Sequence, residues 1–217
     1  MIELRVCSSL SRGSMSPAQA ARMGRLAGLR AMVLTEQVDS VTMTATLAQL
    51  VPAVRRLSLF GGIEVIAGCE IAHMPPALIP DAVQEARSLG ARFVSVLGQY
   101  LGSYAEEGTN LAAIDAGCDL LAAPGLISEE EAAFAAERGT MLDITACGAQ
   151  ALANGHIAVA ARAAGAPVAV TGGVCEPSQF INADLRRAVA LGAGMTPQEY
   201  AETRSRTGAL LSGLLRS

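Results

Sequence analysis

The side chains of this chain best suited to chemistry are three cysteines, two arginines, one glutamate and its two histidines. Cys7 closes an apolar run near the start, Cys147 and Cys175 follow two later runs, and Arg5 and Arg12 stand on either side of Cys7. A thiol beside a fixed guanidinium charge has a lowered pKa, which favours nucleophilic or redox chemistry. Three converging thiolates would select zinc or another thiophilic metal, although no C-x-x-C pair is present. Glu70 ends another apolar run and needs a cation or a proton if it is buried. His73 and His156 are tuned to titrate near neutrality, which suits holding a phosphate or acid–base work. Each residue also has a plainer use. Cysteine can serve as a small buried hydrophobe, the reading adopted for Cys69 and Cys118. His73, just before Met74-Pro75-Pro76, can serve a turn, and His156 can sit on a first helical turn.

Composition narrows the classes. All 16 basic residues are arginine, and the absence of lysine excludes Schiff-base chemistry. The net charge of −4, without a basic run, disfavours nucleic acid, whose phosphates call for a basic stripe. An apolar content of 51% supplies a full core for one domain over residues 1–217. The start, MIELRV, lacks a charged and then apolar leader, and the most apolar stretch, 157–174, is broken by Arg162, Pro167 and glycines. A cytoplasmic protein without a membrane span is expected. Its five cysteines are then read as free thiols, and the apolar content leaves a homo-oligomer open.

These residues need a scaffold, and the chain alternates short β-type runs with helical ones. Strands are expected over 2–7, 31–35, 64–71, 92–97, 118–123, 140–146 and 168–171, each short, apolar and edged by Gly, Pro or polar residues. Ser16-Pro17 opens a helix running to Leu29, and Ser128 and Thr196 each begin a capping box. Gly90, Gly117, Gly139 and Gly165 suit left-handed helix ends just before strands. Seven β/α units without a long linker point to a closed or nearly closed parallel barrel, with an open doubly wound sheet as the alternative. No glycine-rich nucleotide loop follows any strand.

Eight segments, in order along nearly the whole chain, carry a family resemblance. They are 1–13 (MIELRVCSSLSRG), 34–39 (LTEQVD), 68–76 (GCEIAHMPP), 96–99 (VLGQ), 108–117 (GTNLAAIDAG), 121–131 (LAAPGLISEEE), 143–156 and 171–177. Together they resemble the PHP family, the polymerase-and-histidinol-phosphatase metallophosphoesterases, and within it the short histidinol-phosphatase-like members. The resemblance implies an α/β fold, a distorted (β/α)7 barrel of the PHP type, with metal ligands at the C-terminal ends of the strands. Most of the implied ligands are replaced. The opening His-x-His reads Arg5-Val6-Cys7, Ser-Asp-Gly reads Ser11-Arg12-Gly13, and Thr-Asp-His reads Thr35-Glu36-Gln37. The bridging glutamate remains as Glu70. The later ligand positions read Leu97-Gly98-Gln99, Ala123-Pro124-Gly125 and Gly173-Val174-Cys175.

Three readings follow. In the first, metal-dependent hydrolysis is lost, and Arg5, on the same strand face as Cys7, pairs with Glu70 in place of a metal's charge. No cofactor is then expected, and Arg5 and Arg12 line a mouth that takes a small anionic or phosphorylated metabolite or a partner, with His73 and Cys147 nearby. In the second, Cys7, Cys147 and Cys175 converge as a cysteine-dependent catalytic centre, or as a thiolate site for zinc or another soft metal that includes Glu70. In the third, weak phosphoesterase activity survives through His73 and His156.

Overall fold

Short apolar runs separated by capped helices curl into a parallel barrel. The computed structural model describes residues 1–216. The strands are β1 (Ile2–Val6), β2 (Ala31–Val38), β3 (Glu64–Ile71), β4 (Phe93–Leu97), β5 (Leu120–Ala122), β6 (Met141–Thr145) and β7 (Val168–Thr171). Each pairs in parallel with the next, in the order β1 to β7. Around them lie α1 (Pro17–Leu26), α2 (Met43–Gly61), α3 (Ile79–Ser88), α4 (Thr109–Asp115), α5 (Glu129–Arg138), α6 (Asn154–Ala164), α7 (Ala183–Gly192) and α8 (Pro197–Leu214). Among the described residues no helix is long and apolar enough to cross a membrane.

The capping signals act as read. Ser16, Ser128 and Thr196 all form reciprocal capping boxes, and Gly90, Gly117, Gly139 and Gly165 all take positive φ. Two bounds differ. Helix α1 stops at Leu26 rather than Leu29, because Ala27 caps it and Gly28 turns left-handed at φ 81°. Strand β2 runs three residues further, to Val38, because β3 pairs with it along its full length.

Alternation along the strands gives the barrel two surfaces. Leu4, Val33, Ile66, Phe93, Leu120, Met141 and Ala169 form a separate inner cluster, closed at its base by Leu211 and Leu214 of α8. Arg92 fixes that plug, its Nη1 donating to the Leu214 carbonyl at 3.0 Å. The outward strand residues, such as Met32, Leu34, Val94 and Ile144, pack in the larger cluster under the helices.

The pairing of β1 with β2 slips by one residue between Glu3 and Val6. Leu4 and Arg5, though consecutive, therefore both face inward. The Glu3 carboxylate offsets the disrupted ladder: its Oε1 accepts from the Leu4 and Arg5 amides at 3.0 and 3.1 Å.

Between β1 and the segment after β7 the seam closes with little ladder. Cys7 N–H donates to Val174 O and Val174 N–H to Arg5 O, both at 2.8 Å. Gly172 N–H donates to Glu3 Oε2 at 2.9 Å. At the far ends of β4 and β5, Asn110 acts as a latch. Its Oδ1 accepts from Gln99 N–H at 3.1 Å and its Nδ2 donates to Pro124 O at 2.9 Å. Gly125, at φ 68°, packs so closely that a Cβ there would stand 2.0 Å from Gln99 O. Gly28 also has positive φ, but a Cβ would meet nothing within 4 Å. Gly125→Ala is therefore expected to destabilise by about 2–4 kcal/mol, against about 1 kcal/mol for Gly28→Ala. The shift in urea midpoint of each variant measures the difference.

Candidate functional site

The C-terminal half of the barrel interior is polar, and one guanidinium organises it. Arg5 is 3% exposed, Glu70 3% and Asp143 0%. Arg5 Nε donates to Glu70 Oε2 at 2.8 Å, while Nη1 donates to Asp143 Oδ2 at 2.8 Å and to Gln150 Oε1 at 3.1 Å. Nη2 stands 2.7 Å from Glu70 Oε2 as an ion pair, but off line for a hydrogen bond. The expected Arg5–Glu70 pair is present, with a second carboxylate beside it.

Burial works against the Arg5 charge, but Glu70 and Asp143 outweigh it and raise its pKa above the ordinary value. Asp143 has to share that single cation. Burial pushes its carboxyl up to about 6, against Arg5 and the Thr171 hydroxyl, while the charges of Glu3 and Glu70 act in the same direction as burial. Thr171 Oγ1 donates to Asp143 Oδ1 at 2.8 Å.

Asp143 was not read from the sequence as a site residue. The available signal was a lone carboxylate at the middle of the five-residue strand MLDIT, on the same face as Met141 and Thr145. Glu36, read as a replaced ligand position, is fully buried and turned the other way. It accepts from Ser8 N–H at 3.0 Å and Ser11 Oγ at 2.5 Å, holding the loop that carries Arg12. Arg12 itself reaches the rim, its side chain 39% exposed and Nη2 3.8 Å from Glu70 Oε1.

The cysteine expectation needs correction. Cys7 and Cys175 are joined as a disulfide across the seam, because the Val174 bonds bring the end of β1 against the segment after β7. Neither is a free thiol or a thiolate ligand in this state. Cys147 is free and half-buried. It packs on the same seam segment, with its Cβ 2.7 Å from where a Cβ on Gly173 would lie. Three sulfurs thus gather near the seam, two of them bonded to each other. Cys69 and Cys118 are buried thiols, as read, and burial pushes both up to about 12.

The histidines lie elsewhere. His73 is exposed, at φ 58°, and lines a cavity of about 150 Å³ with Ile71, Leu97 and Tyr104. His156 lies on the first turn of α6, and its Nε2 is 2.7 Å from Ile127 O, tying that helix to the loop after β5.

A cluster of divalent ions does not fit these residues. A guanidinium holds Glu70, Leu97 and Ala123 carry no donor side chain, and the two cysteines at the ligand positions the resemblance implies bond each other. Among the described residues no three His, Cys, Asp or Glu side chains converge to hold a metal. Beside the mouth lies a cavity of about 630 Å³ lined by Thr145, Cys147, Asn154, Gly172 and Gln179, among others.

No established family model matches the sequence. The uncharacterized protein MJ1295 of Methanocaldococcus jannaschii is 32% identical over 195 residues, covering 89% of each chain. The chain belongs to the MJ1295 family. Among solved structures, the uncharacterized protein eah89906 aligns with 87% of this chain and 68% of its own, at a TM-score of 0.51 and 11% identity. That likeness extends the barrel fold to a distant sequence. A 2,3-dimethylmalate lyase of the PEP mutase/isocitrate lyase superfamily aligns at a TM-score of 0.42 and 17% identity, over 93% of this chain and 86% of its own.

Two outcomes check the site of this MJ1295 relative. The folded chain holds the Asp143 proton up to about pH 6, whereas an unfolded aspartate loses it near about pH 4. Between those values the native state binds more protons, so wild-type stability falls as pH rises, relative to Asp143→Asn. Urea unfolding of both proteins across that range measures it; a wild type that gains on the variant would mean a lowered pKa instead. Separately, alkylation of unfolded, unreduced protein should modify the three free cysteines, Cys69, Cys118 and Cys147. Native protein should react at Cys147 alone.

Proposed function

We propose that this protein is a non-hydrolytic, ligand-binding descendant of the PHP-type metallophosphoesterase barrels, taking a small anionic or phosphorylated metabolite at its mouth. One observation carries the reading: the Arg5 guanidinium is bonded to Glu70, the carboxylate kept from the implied ligand set, and to Asp143 across the axis. An arginine side chain does not deprotonate in a protein. Divalent ions would have to bind against its fixed charge, and without them no water is activated and no phosphoryl oxygen is polarised.

Arg5 is buried and bonded to Glu70, Asp143 and Gln150, so it does not itself meet the ligand. Arg12 does. Its guanidinium stands at the rim, held only loosely towards Glu70 at 3.8 Å, and a phosphate or carboxylate can take its fork in bidentate fashion. The loop beneath it is fixed by Glu36 through Ser8 and Ser11. That lowers the ordering cost of binding.

A second reading has its own observation. Cys147 is a half-buried free thiol on the wall of the 630 Å³ cavity, so thiol chemistry there is the alternative. No histidine among the described residues is hydrogen-bonded to it.

The test uses purified protein with manganese or zinc added. No metal-dependent hydrolysis of an aryl phosphate is expected, and thermal-shift screening should find a phosphorylated metabolite whose stabilisation falls at least tenfold in affinity in Arg12→Ala. Brisk metal-dependent hydrolysis would falsify the reading. Stabilisation that survives Arg12→Ala but vanishes on alkylating Cys147 would favour the thiol alternative.

A further inference from the structure

Away from the mouth, at the opposite end of β1, the structure holds a second concave site. A cleft of about 710 Å³ opens between α7 and α8, beside Met1 and Ile2. That volume lies within the range of small-molecule sites. Its lining contains four guanidiniums, those of Arg30, Arg186, Arg187 and Arg204, and a single carboxylate, Asp184.

Arg186 forms the buried part of the wall. It is 6% exposed, and its Nη2 donates to Glu3 Oε2 at 2.5 Å while Nη1 donates to Val170 O. Its Nε has no hydrogen-bond acceptor among the described residues. Glu3 neutralises Arg186 alone. Arg30, Arg187 and Arg204 are exposed and make no ion pair among the described residues. Arg204 lies over the Tyr200 ring, its Cζ 6.0 Å from the centroid.

Three other exposed arginines of this chain are matched with acids. Arg87 pairs with Asp119, Arg138 with Asp115, and Arg162 with Glu199. In this acidic protein, net charge −4, three of the arginines without an ion pair, Arg30, Arg187 and Arg204, thus line one concave place together with Arg186. The Met1 nitrogen on the same wall registers their convergence. Its pKa is pushed down by burial and then by Arg30, Arg186 and Arg204. Low-dielectric walls focus such a field onto whatever enters. Phosphate oxygens match the guanidinium fork, and the hydroxyls of Tyr200 and Thr203 on the same lining offer further donors.

We propose that the α7–α8 cleft is a binding site for a small phosphorylated molecule, held by Arg30, Arg187 and Arg204 above the buried Arg186. It is separate from the rim at Arg12, and neither proposal requires the other.

Isothermal titration of the full chain with inorganic pyrophosphate tests it, with Arg30→Ala, Arg204→Ala and Arg55→Ala titrated in parallel. Arg55 lies exposed on α2 and serves as a control for diffuse attraction. A saturable site is expected, weakened at least tenfold by Arg30→Ala and by Arg204→Ala and unchanged by Arg55→Ala. All three positions are exposed, so the variants should keep the wild-type circular dichroism and melting temperature. Absence of saturable binding at millimolar pyrophosphate overturns the inference. So does binding that Arg204→Ala leaves intact, or equal weakening by Arg55→Ala and Arg204→Ala.

Discussion

A single guanidinium laid across the barrel axis joins β1 to β3 and β6, and the polar half of the interior is arranged around it. Arg5 meets Glu70 and Asp143 at hydrogen-bonding distance, and Gln150 from the turn after β6 fills another donor. Losing one partner of such a buried set typically costs about 3–5 kcal/mol, because an uncompensated charge remains behind. The set is also unbalanced, with two carboxylates for one buried cation. Burial raises the pKa of Asp143, with the charges of Glu3 and Glu70 acting in the same direction, and Arg12 at the rim adds a weaker, solvent-screened positive charge towards Glu70. Charge balance in this interior thus rests on a guanidinium, joined by a proton on Asp143 only below about pH 6.

Placing Arg5 there depends on Glu3. If β1 kept strict alternation, Leu4 and Arg5 would face opposite surfaces. The slip that turns both inward leaves two amides out of the ladder, and the Glu3 carboxylate accepts both. The other Glu3 oxygen takes Gly172 N–H at the seam and Arg186 from α7. One carboxylate therefore links the irregularity in β1, the closure of the barrel and the wall of the α7–α8 cleft. Burying it is tolerable because each oxygen has its donors.

Local signals in the sequence carried most of the fold. Capping boxes at Ser16, Ser128 and Thr196 and left-handed glycines at Gly90, Gly117, Gly139 and Gly165 act within a few residues, so the sequence displays them directly. The Arg5–Glu70 pair was legible because both residues interrupt apolar strands and need a partner. Asp143 answers to the same logic, but it sits between Leu142 and Ile144 where it reads as a strand position. The disulfide and the α8 plug were not legible. Both depend on where distant segments meet: Cys7 and Cys175 are 168 residues apart, and Leu211 and Leu214 reach the barrel base only because α8 runs beneath it. Helix α8 opens with a clear cap, yet nothing in that cap says where the far end of the helix goes.

Several of the segments that carry the sequence resemblance also have backbone work to do. Residues 96–99, 108–117 and 121–131 contain the Asn110 latch, in which Asn110 and Gln99 exchange bonds and Asn110 also grips Pro124. Gly98 and Gly125 lie where a side chain would strike Asn110 Oδ1 or Gln99 O. Ala123 and His73, the two non-glycine residues with positive φ among the described residues, sit at the ends of β5 and β3 in the left-handed conformation. For alanine such a conformation costs about 1–2 kcal/mol and has to be imposed by its surroundings. The glycines and the asparagine therefore hold the strand ends together whether or not a metal is bound there. The chemistry of the site has to be judged from Arg5, Arg12, Glu70 and Asp143, which meet at the axis and rim, and not from the motifs that frame them.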